Sequence, residues 1–166
     1  MMIKNLNLLS LLIIFLLFVG CPYLSNIPLD SNQNAKIDKK LIGTWGNPDE
    51  QNDSLTALNI YQFNEREHLI MIEEENEIAL YGAHVTLLDG HKFLNVHRLE
   101  SEPQEKLEYA FVKYQVHNDT LFLQIIEDQI IKEQFNNSKK LRKFISENLK
   151  NDKLFGEKES LIRQRE

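Results

Sequence analysis

The chain has 166 residues, 42% of them apolar and nine of them Phe, enough for one domain with a real core and too much for a disordered protein. Its 19 basic and 25 acidic residues leave a net charge of −6, and an acidic surface of that size repels phosphates, which argues against nucleic acid as a partner. A single cysteine cannot form an internal disulfide, so the fold does not depend on an oxidising compartment.

In chain order, the first element is apolar. Lys4 is the one charge among residues 1–20, and Leu6 to Val19 are apolar apart from Asn7 and Ser10. A membrane-spanning helix needs about 20 consecutive apolar residues; this run is shorter and ends at Gly20, Cys21 and Pro22. A basic start, a short apolar centre and a small residue before the cut predict a secretory signal peptide over 1–20. Phe18-Val19-Gly20-Cys21 resembles the lipobox of bacterial lipoproteins, with Phe18 where Leu is usual. In that family the Cys thiol receives a diacylglycerol, the chain is cut before it and the new N-terminus is acylated. The resemblance therefore implies that Cys21 is a lipid anchor holding the protein to the membrane of a bacterial cell envelope. Several acyl chains, at ~0.8 kcal/mol per buried CH₂, attach a protein stably where one chain does not. Cleavage would remove Lys4 and leave 18 basic against 25 acidic residues, a net of −7. Pro22 is not the Asp that marks inner-membrane retention in enteric lipoproteins, which favours the outer membrane over the inner. Residues 21–38, polar and without periodicity around "DSNQNAKID", are predicted to be the lipidated N-terminus and a flexible tether.

Residues 39–166 read as a single domain. Short runs with period-two stretches predict strands at 40–45, 54–63, 67–74, 77–88, 91–100, 106–116 and 120–127, with a further one over 129–134. Asp89-Gly90 is a strong two-residue hairpin signal. Ser138 is a candidate cap for an amphipathic helix over about 138–150, with Leu141, Phe144, Ile145 and Leu149 on one stripe; 159–164 reads as a last short strand. A meander this long has two edges to protect, and closing into a barrel removes both.

Gly43-Thr44-Trp45 at the first strand resembles the Gly-x-Trp signature of lipocalins and related calycin barrels, as does the order of strands, helix and short strand. The resemblance implies a mainly β fold: an antiparallel up-and-down barrel of about eight strands with a C-terminal helix. It implies that Trp45 plugs the closed end and that an Arg from a late strand packs across it. Arg163 is the candidate, although lipocalins usually draw that Arg from the strand before the helix, where this chain offers Lys132. The second lipocalin signature, a Thr-Asp-Tyr-like loop, is not visible.

His84 and His97 are the one pair with metal-ligand potential. A two-residue loop at Asp89-Gly90 sets His84 opposite Asn95 with His97 on the diagonal; a four-residue loop sets His84 opposite His97. Zinc would need a further protein ligand, with Glu67 in reach only if its turn allows. The reading adopted is polar residues on one barrel face, with no metal. Ala83, Val85, Leu94 and Val96 share the other face, and which face is interior stays open because Leu80, Leu88 and Phe93 accompany the histidines. The run Glu73 to Glu77 lacks calcium-loop spacing and reads as a solvated hairpin tip, and Lys139, Lys140, Arg142 and Lys143 read as a solvated helix start. No nucleophile elbow, zinc-protease motif or phosphate loop occurs, so neither an enzyme nor a cofactor is expected. The function expected is a non-catalytic envelope lipoprotein binding a small apolar ligand. The alternative is a structural or protein-interaction lipoprotein with a filled barrel; the abundance of Leu, Phe, Tyr and Ile in the strands is compatible with a filled or narrow interior.

Overall fold

In the computed structural model, residues 21–46, 57–74, 77–99, 107–132 and 134–164 are described, and eight antiparallel strands close into a barrel in chain order. They are β1 (Gly43–Gly46), β2 (Ala57–Gln62), β3 (His68–Glu74), β4 (Glu77–Leu88), β5 (His91–Arg98), β6 (Ala110–His117), β7 (Thr120–Ile125) and β8 (Glu159–Arg163), with one helix, α1 (Ser138–Asn148), between β7 and β8. The predicted signal peptide, 1–20, lies outside the described residues, as do 54–56 of the second predicted strand.

Asp89 (φ 48°) and Gly90 (φ 80°) take the left-handed conformations of a two-residue hairpin turn, so Leu88 faces His91 and His84 faces Asn95. Asn118 (φ 53°) serves the β6–β7 turn in the same way. Two sequence expectations about these elements change. No strand forms among the described residues of 129–134: Ile131 N–H turns back to the Asp128 carbonyl, and Ile130 and Ile131, adjacent in sequence, both pack into one cluster, which an alternating strand cannot do. The expected short last strand forms and closes the sheet, since β8 pairs with both β7 and β1. Helix α1 is capped by Asn137, which accepts from Lys139 N–H (2.8 Å) and Lys140 N–H (3.4 Å), while the Ser138 hydroxyl donates to the Pro28 carbonyl (2.7 Å).

Two cores result. The interior one takes a residue from every strand, among them Trp45, Leu58, Ile60, Ile70, Ala83, Leu94, Tyr114, Leu121 and Leu161. This settles the open face: Ala83, Val85, Leu94 and Val96 point inward, and His84, Thr86, Leu88 and Phe93 point outward. The second core lies outside the barrel, where Leu141 and Ile145 of α1 cover Leu88, Phe93, Phe111 and Ile126.

Residues 21–38 also belong to this outer layer, where a tether was expected. Tyr23 and Leu29 are buried in it, Pro22 bridges to Glu127, and Ser25 pairs with Tyr109. The segment is a strap: irregular backbone laid on the outer face of the barrel and held there by side chains from distant strands.

Candidate functional site

The strap ends at the barrel floor, on the side of the β2–β3, β4–β5 and β6–β7 turns. The Asp38 carboxylate accepts from Lys92 Nζ (2.5 Å) and from the Tyr114 hydroxyl (2.9 Å). Burial pushes that carboxyl up, but these bonds and one from Lys40 N–H outweigh it and hold it below its usual range. Burial and the same carboxylate push Tyr114 far above its ordinary value.

Gly43, Trp45 and Arg163 meet at this end. Trp45 is fully buried and its indole N–H donates to the Leu41 carbonyl (2.8 Å). The Arg163 guanidinium lies 4.1 Å from the centre of the Trp45 ring and donates to the carbonyls of Ile42 and Lys40, both at 2.7 Å. Gly43 has φ +141°, and a Cβ there would run into Arg163 Nη1, so a glycine is required on both counts. Lys132 takes no part and is exposed.

His84 and His97 lie on the outer face, beneath the strap, whereas His68, paired with Ala83, faces inward at the barrel floor. His84 Nε2 donates to the Asp30 carbonyl (2.8 Å) and His68 Nε2 approaches the Asp38 carbonyl (3.3 Å). A carbonyl can only accept, so the proton of His84 sits on Nε2. The Nδ1 atoms of His68, His84 and His97 have no partner among the described residues, and burial holds all three rings below their ordinary pKa. His84 and His97 share an edge-on contact with Tyr109, at 6.3 and 5.6 Å between ring centres. Glu67 lies close enough to feel both charges, yet its carboxylate is engaged by Asn32 (3.2 Å) and Asn64 (3.0 Å). Among the described residues no group of three or more His, Cys, Asp or Glu is placed to hold a metal ion. The arrangement holds the strap in place. Asn95 completes it: its side-chain oxygen accepts from Leu29 N–H (2.7 Å), and its amide donates to Thr86 (2.9 Å) and to the His84 carbonyl (3.2 Å).

The other end of the barrel holds the feature with binding capacity. A cavity of about 270 Å³ lies between the strands, lined by Leu58, Ile60, Ile70, Ile72, Tyr81, Leu94, Val96, Val112, Leu123 and Ile125, and it reaches solvent past the exposed Glu157 and Glu159. The abundance of large residues left a filled or narrow interior open; space remains inside because Phe93, Phe111 and Phe122 point outward. Aliphatic side chains such as Val96, Val112 and Leu123 are left to line the inside. The alternation in "FLNV" (93–96) and "FVKY" (111–114) carried that signal once the facing was known.

No protein-family model matches the chain, and neither does any curated protein or solved structure.

Proposed function

We propose that this protein is a lipid-anchored lipoprotein of the bacterial cell envelope whose barrel binds a small apolar ligand without catalysis. The observation that carries the ligand reading is the cavity: about 270 Å³ of space walled by aliphatic side chains that belong to the interior core and continuous with solvent at one end. An apolar cavity of about 150 Å³ holds benzene, and drug-sized sites begin near ~300 Å³, so the ligand is larger than one ring and smaller than a typical drug. Its stabilisation is hydrophobic, at roughly 25 cal/mol per Å² buried. A filled barrel serving a protein partner is the weaker reading because the interior keeps this space.

The lipobox resemblance supports the anchor at Cys21, which is exposed. The Cys21 carbonyl accepts from Asp128 N–H (3.0 Å), three residues beyond Ile125 of the cavity wall. That is a separation of at most about 10 Å along extended chain. A lipid on Cys21 would therefore hold the cavity end of the barrel close to the membrane, where apolar ligands concentrate. The test is a neutral fluorescent probe, N-phenyl-1-naphthylamine, titrated into the protein and into Val112→Phe, which fills the cavity. The proposal expects saturable binding that the substitution abolishes; no binding, or equal binding by the two, would overturn it.

A further inference from the structure

We infer that the cavity selects an amphiphile with an apolar body and a cationic head, such as an alkylammonium, over a fatty acid of the same length; this deepens the ligand-binding reading and rests on it. The chemistry of the mouth carries it. Of the twelve lining residues only Tyr81, Glu157 and Glu159 are polar, and the two carboxylates stand where the cavity meets solvent. Alternation along the chain explains their placement. Glu157 and Glu159 line the cavity, and Lys158 between them turns to the outer face, its Nζ 4.2 Å from the centre of the Phe122 ring. Lys113 is likewise outside, 3.9 Å over Phe155.

No basic side chain lines the cavity, and neither carboxylate has an ion-pair partner among the described residues. Arg98, opposite Tyr81 in the register, is exposed and outside the lining. The end of β3 and the start of β4, which carry Glu73, Glu74 and Glu77, lie at this same end of the barrel. A fatty acid seated with its chain in the cavity would bring its carboxylate beside Glu157 and Glu159, with no cation among the described lining residues to receive it. An ammonium head in the same place meets two carboxylates. For unit charges about 8 Å apart in water, two such groups prefer ammonium over carboxylate by roughly 30-fold in dilute buffer and about fourfold at physiological salt.

The experiment is displacement of N-phenyl-1-naphthylamine at pH 7 by decyltrimethylammonium and by decanoate, both below their micelle concentrations, at low and physiological salt. It is run on the full chain, on Glu157→Gln/Glu159→Gln and on Val112→Phe, with circular dichroism to confirm folding of each. The expected result is tighter displacement by the ammonium, weakened by salt and reduced to within about twofold in the double variant. Equal or tighter displacement by decanoate would overturn the cation preference and leave the ligand-binding reading standing. A preference that persists in the double variant would overturn the role of these two carboxylates. Failure of the probe to bind the full chain, or binding that Val112→Phe leaves intact, would overturn both.

Discussion

Asn95→Ala should loosen the strap from the barrel and lower global stability by about 3 kcal/mol. Asn95 is fully buried (0% exposed) and serves three groups at once: Leu29 N–H, the Thr86 hydroxyl and the His84 carbonyl. Leu29 is itself 0% exposed, so its N–H cannot recover a bond to water once the acceptor is gone. An orphaned buried donor costs about 1–3 kcal/mol, and each of the two remaining bonds contributes about 0.5–1.5 kcal/mol net. Thr86 loses only a donor to its hydroxyl oxygen and keeps its own O–H free to donate, which places the sum at about 3 kcal/mol, in the lower part of the roughly 2–6 kcal/mol these terms span. For a domain of this size about 3 kcal/mol corresponds to a fall in Tm of roughly 10 °C. Urea unfolding followed by circular dichroism measures the loss, and amide exchange across residues 21–38 measures its location. Asn59→Ala is the control: it removes one part-buried bond, to the Thr44 hydroxyl (2.7 Å), and should cost about 1 kcal/mol or less. A loss below about 1 kcal/mol in Asn95→Ala, with strap protection unchanged, would refute the reasoning.

Acid should act on the same strap: His68, His84 and His97 have folded pKa values held below their usual 6.5 by burial, so below pH 6.5 the unfolded chain binds more protons and stability falls as pH falls. Urea midpoints should drop between pH 7 and 5 and drop less in His84→Gln, whereas Asp38 and Glu67, held below their usual 3.8 and 4.5, add a separate loss only nearer pH 4. Arg163→Lys should destabilise by about 2 kcal/mol in the same assay, because an ammonium cannot bond both the Ile42 and Lys40 carbonyls while lying flat on Trp45. Gly82→Ala should cost about 1–2 kcal/mol, since its methyl would stand 2.6 Å from Cε1 of His97; adding His97→Ala should recover part of that loss in a double-mutant cycle. Cys21→Ser should move the protein from the membrane fraction to the soluble one and leave the signal peptide uncut by the lipoprotein peptidase.

Much of the barrel was legible because its signals are local. Period-two alternation marks β2 to β7, and Asp89-Gly90 marks the β4–β5 turn, where the structure takes the two-residue loop of the two considered. The strap was not legible, because what holds it is far away in sequence: His84 bonds across 54 residues and Asn95 across 66. Its irregular backbone has no period to detect, although Tyr23, Leu24, Ile27 and Leu29 within seven residues make a poor solvated tether. Nor could alternation alone tell inside from outside, since both faces of β4 and β5 are apolar; helix α1 and the strap cover the outer one. The cavity depends on that same choice. Outward placement of Phe93, Phe111 and Phe122 is what keeps the interior open, and a strand pattern read in isolation does not show it.

The central claim is that Cys21 carries lipid and the barrel carries a ligand, and native mass spectrometry of the protein extracted from its own cell membranes tests both at once. The account predicts a chain beginning at Cys21 with the covalent mass of a diacylglycerol and an N-acyl group. It also predicts a noncovalent ligand of a few hundred daltons that Val112→Phe no longer retains. A chain still carrying residues 1–20, or a mature chain with no lipid and no retained ligand, would contradict it.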